Sequence, residues 1–323
     1  MDTVRQNRRC RMLLSRSNFM EEYLALESWF KSDSKWVFRG HASSNWRLTN
    51  TLERQYKSLF QESFDEKIKC MKNAKSALRK YYSRSDGFVI NKLEIIEKRL
   101  IDGFKKNIGE DCAQDSSMVK YMALMQHYGL PTRLLDFSRS PSIALFFALC
   151  NQGEEDRGSN RVVWAINTRP IEAWIKPYKI EMQARKECEE SEIELKIADE
   201  LVSKATSPTR LKYRWYPIYM EGNNLRMIAQ KGLFMMSLHP GHMEHDLAET
   251  LGYEYNPYET KCIRYTDFEQ MSDDEKARLT VMSIEFPISA DSQAKSILKT
   301  KGISWEKMFP DLSLVGWLKN ELV

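Results

Sequence analysis

WVFRGHASSNW, residues 36–46, begins with three strand-forming apolar residues, Trp36, Val37 and Phe38, and runs without a turn into Arg39 and Gly40. An arginine keeps its charge at any working pH. At the inner end of a buried strand it therefore needs either a carboxylate of the same chain, with Asp136 a candidate, or a bound anion such as a phosphate. Gly40 lacks a Cβ and so admits the close approach of a ligand or of another backbone segment. A strand of this kind near the N-terminus makes the rest of the chain the problem: what surrounds it, and what meets Arg39.

Before it, Ser17 and Asn18 are N-cap residues for FMEEYLALESWF, whose Phe19, Tyr23, Leu26 and Phe30 recur at helical spacing. After it, residues of about 55–105 are polar and helical in pattern, with a break near Ser85 to Gly87, and predict an exposed helical insert. SSMVKYMALMQHYG predicts a serine-capped helix ending at Gly129. LPTRLLDFSRSP, bracketed by Pro131 and Pro141, predicts a loop or irregular strand, and PSIALFFALC a helix with proline in its first turn. Beyond residue 160 strands take over: RVVWAIN, YRWYPIYM, KGLFMMSL and TVMSIEFPI. A charged helix at about 180–205 reads as a solvated surface element, and the chain ends in a helix near 291–300, a GISWEKMFPDL loop and a last short helix. These elements predict one α+β domain over residues 1–323, with its core at about 30–323, and a central, mainly antiparallel sheet flanked by helices and the insert.

The 323 residues are 42% hydrophobic, enough for a large core, and 49 Lys and Arg against 45 Asp and Glu leave a net charge of only +4. That balance is too slight, and its cations too scattered among acids, to predict a nucleic-acid protein. Six cysteines without a CxxC pair read as reduced thiols, and no apolar run reaches bilayer length, so a cytoplasmic protein without a membrane partner is expected.

Two further stretches are richer in polar groups than a connection needs. QHYGLPTRLLDFSRSPSIALFFAL, residues 126–149, sets Gln126, His127, Thr132, Arg133, Asp136, Ser138 and Ser140 between two apolar helices, where buried polar groups must bond to one another or to a ligand. NNLRMIAQKGLF, from residue 223, places Arg226 and Gln230 one helical turn apart before a strand. His239, His242 and His245 recur every third residue, but Pro240 and Gly241 interrupt any helix that would gather them, and no metal site is expected.

FRG with Trp46 downstream, QHYGLPTRLLD followed by SPSIALFFA, then NNLRMIAQKGLF and GISWEKMFPDL, together resemble the FRG domain family, from about residue 30 to the C-terminus. Members of that family are bacterial and phage-encoded, some in defence or toxin-like settings. Phe38-Arg39-Gly40 is also similar to the first motif of arginine-type ADP-ribosyltransferases. That similarity implies NAD as substrate, Arg39 on its phosphates, and a pocket built with Phe38, Gly40, Thr132, Arg133, Ser138 and Ser140. It also implies a glutamate at the nicotinamide ribose, and the residues that could stand at that position are Glu285 in TVMSIEFPIS and, as a departure from the pattern, Gln230. A glutamine there would position the sugar but could not stabilise a cation nearly as well.

Three functions follow as expectations: an NAD-using transferase or glycohydrolase of defence or toxin type; a metal-independent ribonuclease with His127 as acid or base and Arg39 and Arg133 on the phosphate; or a non-catalytic module for a nucleotide or partner. The catalytic candidates are thus Arg39, His127, Asp136, Gln230 and Glu285. The partners implied are NAD or another phosphate-bearing ligand, a nucleic-acid or protein target, and a neutralising protein.

Overall fold

The computed structural model describes residues 9–33, 35–56, 86–107, 117–150, 158–185, 193–204, 215–219, 224–238, 243–251 and 262–310. Its frame is one open sheet of eight strands: β1 (Arg9–Leu13), β2 (Trp36–His41), β3 (Leu134–Ser138), β4 (Arg161–Asn167), β5 (Trp215–Ile218), β6 (Gly232–Ser237), β7 (Cys262–Arg264) and β8 (Val281–Phe286). The spatial order is β5-β6-β3-β2-β4-β8-β1-β7. Only the pairings of β1 with β8 and β7 are parallel; the others are antiparallel, as expected of an α+β fold.

The expected strands at 36, 161, 215, 232 and 281 are all present. Pro217 sits in β5, which pairs only with β6, the position where a strand can lack an N–H without breaking a second ladder. LLDFS was expected to be irregular. It is instead the regular strand β3, in the interior of the sheet, because its two prolines stand outside Leu134–Ser138 and leave the ladder N–H groups intact.

Helices cover both faces: α1 (Phe19–Lys31), α2 (Thr51–Gln55), α3 (Asp86–Asn107), α4 (Met118–His127), α5 (Pro141–Leu149), α6 (Arg169–Arg185), α7 (Ile193–Lys204), α8 (Leu225–Ala229), α9 (Met243–Leu251), α10 (Tyr265–Glu269), α11 (Asp273–Arg278), α12 (Asp291–Thr300) and α13 (Trp305–Met308). Ser117 caps α4 by accepting from Lys120 N at 3.2 Å, and Ser140 caps α5 by accepting from Ile143 N at 3.4 Å. α5 is apolar all round and almost wholly buried, so it lies at the centre of one face with Phe38, Ala165, Ile284 and Leu298. The other core joins Val37, Trp164 and Ile166 to Met122 and Met125 of α4 and to Ile197 and Leu201 of α7.

Two helical regions differ from expectation. The described part of the insert is not an exposed satellite: Leu93, Glu97 and Ile101 of α3 are buried, because Glu97 answers a buried charge on the other side of the contact. Residues 57–85 of the insert lie outside the described residues. The charged stretch at about 180–205 is not a wholly solvated element where it is described. Its second half is α7, whose Ile193, Ile197, Ala198 and Leu201 form a buried stripe beneath the charges. The last expected helix also falls outside the described residues.

Candidate functional site

Alternation along β2 turns Phe38 and Gly40 to one face and Arg39 and His41 to the other. The first face is structural. Phe38 meets Phe30 edge-on at 4.9 Å, and a Cβ on Gly40 would lie 1.9 Å from Ala144 O and 2.5 Å from Ala148 N. The glycine therefore makes room for the backbone of α5, not for a ligand, and Phe38 belongs to the core.

On the opposite face a polar cluster gathers around Arg39. β2 and β3 share a single registered pair, Phe38 with Ser138, and the two strands part beyond it. Arg39 spans the gap, donating from Nη1 to the Asp136 carbonyl at 2.7 Å and from Nε to His41 Nε2 at 2.9 Å. Because His41 Nε2 accepts, the ring proton is on Nδ1, which lies 3.3 Å from Trp46 O and donates to it. The Asp136 carboxylate does not pair with Arg39. Both of its oxygens accept from Gln126 Nε2 at 2.8 Å, and Gln126 is itself oriented by Thr132, whose Oγ1 donates to Gln126 Oε1 at 2.9 Å. Thr51 at the start of α2 bonds both backbone groups of Thr132, which brings Arg54 of α2 into the electrostatic neighbourhood of Arg39, His41 and Asp136.

Arg39 is partly accessible and Asp136 is exposed, yet both are densely surrounded by protein. Accessible groups so crowded are reached by solvent through a recess. Burial lowers the Arg39 pKa to about 10, against the opposing pull of Asp136, and burial raises that of Asp136, against the opposing pull of Arg39. Burial first, and the Arg39 charge second, hold His41 down at about 3, so its imidazole is neutral and its one lone pair is taken. His41 thus positions the guanidinium and is no base. Of the five donors of Arg39, two are engaged, and among the described residues no carboxylate forms an ion pair with it.

Residues 34–157 match the FRG domain family. The FRG region therefore contains the whole Arg39 cluster, together with β2, β3, α4 and α5, while the NNLRMIAQKGLF and GISWEKMFPDL stretches lie beyond it. No curated protein and no solved structure matches the chain.

The remaining candidates are not brought to the recess. Arg133 in the FRG region is buried and held by the equally buried Glu97, with Nε 2.7 Å from Oε2 and Nη1 donating to Leu238 O at 2.7 Å. It has no fork left for a phosphate, contrary to expectation. Ser138 Oγ donates to Gln230 O at 2.7 Å and accepts from Ser140 N at 3.1 Å, while Ser140 caps α5; both serve architecture. Gln230 Nε2 donates to Met308 O at 2.9 Å and so anchors α13 rather than a sugar. Glu285 is buried against Arg11, at 2.6 and 2.9 Å, and β8 stands two strands from β2, about 10 Å away. His127 is exposed at the end of α4, beside Tyr128, with no hydrogen bond among the described residues. Of the histidine triplet, His239 and His242 lie outside the described residues, and no cluster of metal-ligating side chains occurs among those described. No described helix is long and apolar enough to cross a membrane.

Gln126, His41, Arg54 and Trp46 complete the cluster. Gln126 was visible as part of a dense polar loop. His41 shares the face of Arg39 by strand alternation and Trp46 stands in the FRG resemblance, but Arg54 carries no signal of its own, because tertiary contacts alone bring α2 to β2.

Proposed function

We propose that the recess binds NAD, or a closely related nucleotide, by its phosphates, and that the chain opens the nicotinamide glycosidic bond. One observation carries this: among the described residues Arg39 has three unengaged donors and no carboxylate in an ion pair with it, and the exposed Asp136 carboxylate beside it is bonded to Gln126 instead. Arg39 and Arg54 supply the anion grip. Asp136 takes the place at the ribose for which Glu285 and Gln230 were candidates, since each of those is engaged elsewhere. As the C1′–N bond breaks, its electron pair leaves with neutral nicotinamide, and the ribosyl oxocarbenium ion is stabilised by the carboxylate. Water or an acceptor group then attacks C1′ and loses a proton. The adjacency of β2, with Arg39, and β3, with Asp136, supports this reading.

Incubation of the purified protein with NAD, followed by nicotinamide release, tests the proposal. Release that is lost in Arg39→Ala and in Asp136→Asn is expected. Release no greater than in Arg39→Ala overturns turnover.

A second function, binding without turnover, is favoured by the neutrality of His41 and by Gln126 occupying both Asp136 oxygens, which leave no evident general base. A melting temperature raised by NAD with no nicotinamide released would establish it. The ribonuclease expectation loses its second phosphate clamp to the Arg133–Glu97 pair.

A further inference from the structure

Trp46 is 39% exposed, although an indole carries more apolar surface than any other side chain. Its backbone is held on both sides. The Trp46 N–H donates to Ser43 O at 3.2 Å, and Trp46 O accepts from His41 Nδ1. The loop before it is tied to the segment that leads into β4: Ser44 N donates to Asn160 O at 2.6 Å, and Ser159 Oγ donates to Ser43 Oγ at 2.8 Å. The indole centre is 6.1 Å from the His41 ring, whose other nitrogen holds Arg39. A large aromatic face thus stands one side chain away from the anion-gripping guanidinium, on a backbone already fixed.

We propose that Trp46 is a stacking platform that makes the Arg39 recess selective for nucleotides over phosphates that carry no base. This rests on the nucleotide function above and adds its determinant of selectivity. The arginines recognise phosphate but cannot tell a nucleotide from pyrophosphate or a sugar phosphate. A flat π-face beside them can, because every base or nicotinamide ring presents a surface to stack on. Holding the loop in advance removes the ordering cost that a free tryptophan would incur on binding.

Titration calorimetry with NAD and with inorganic pyrophosphate, on the full chain, separates the two contributions. Trp46→Leu is expected to weaken NAD binding roughly tenfold or more and to leave pyrophosphate binding unchanged, while Trp46→Phe restores most of the NAD affinity. Arg39→Ala is expected to weaken both ligands. Equal loss of NAD and pyrophosphate in Trp46→Leu, or no loss of NAD, overturns the stacking role while leaving the anion site in place. A wild-type protein that binds neither probe overturns the anion site and this inference with it. Trp46 is 39% exposed and outside both core clusters, so the variants are expected to fold; unchanged melting temperatures without ligand check this.

Discussion

Arg39 and Arg133 lie on adjacent strands or their approaches, both inside the FRG region, yet their surroundings have opposite character. Arg133 is buried and paired with Glu97, a carboxylate that is itself 2% exposed, and its Nη1 donates to a carbonyl. Arg39 is given a neutral imidazole and a carbonyl, with the nearest carboxylate turned to Gln126. A buried charge supplied with its counter-ion is part of the frame; one hydrogen-bonded only to neutral acceptors keeps donors for the anionic ligand proposed above.

The strongest way to test this contrast is to remove the counter-ion that only one arginine has. Glu97→Ala leaves Arg133 buried and unpaired, and is expected to cost about 3–5 kcal/mol in urea unfolding. A loss below about 1 kcal/mol would mean that Arg133 finds solvent or another acceptor, and the two arginines would then be alike.

The next test uses acid. His41 titrates at about 3 when folded against 6.5 in the unfolded chain, so between these values the unfolded state binds the proton and the folded state does not. Stability is therefore complete above pH 6.5 and falls as the pH drops through the window, by up to about 1.4 kcal/mol per unit. Urea midpoints measured from pH 6.5 to 5, mostly above the carboxylate range, should decline in the wild type, and the decline should be shallower in His41→Gln. Parallel curves would mean that His41 is not the neutral anchor of Arg39.

Gly40→Ala probes the other face of β2. Its Cβ would overlap the α5 backbone, which cannot yield as a flexible side chain would, and a loss of about 1–3 kcal/mol is expected. Pyrophosphate affinity in the folded fraction should be unchanged. A changed affinity with normal stability would return Gly40 to the ligand side.

Much of the frame was legible because β2, β4, β6 and β8 are runs of β-branched, aromatic and other apolar residues with both faces buried. β1 was not, since Arg9 and Arg11 alternate with the buried Cys10 and Met12 and the basic character of the segment hides a five-residue strand. α7 was hidden in the same manner, by acids and lysines around a narrow apolar stripe. The site was legible in its centre, Arg39 and Asp136, and in little else. Arg39 and Arg133 look equally functional in sequence because the residue that separates them, Glu97, is 36 positions from Arg133 on a helix with no motif. Ser138, Ser140 and Gln230 drew notice as polar residues in apolar surroundings, and each proves to satisfy a backbone group, which is the commoner reason for such a residue to be there.

The smallest expected effect is also the most discriminating. Arg39→Met removes a guanidinium whose desolvation the Asp136 charge offsets only in part and replaces it with a flexible apolar side chain of similar length, so the hydrogen bonds to His41 and Asp136 O are lost while the cost of holding a charge there is relieved. The two changes oppose each other, and the expected net change in unfolding free energy is within about 1 kcal/mol. Pyrophosphate and NAD binding should nevertheless disappear. Arg133→Met makes the complementary case, since it strands Glu97 and should cost several times more in stability. If urea unfolding instead showed Arg39→Met to be as damaging as Arg133→Met, the guanidinium on β2 would be holding the sheet together where β2 and β3 part, and the anion it is taken to await would have no place in the protein.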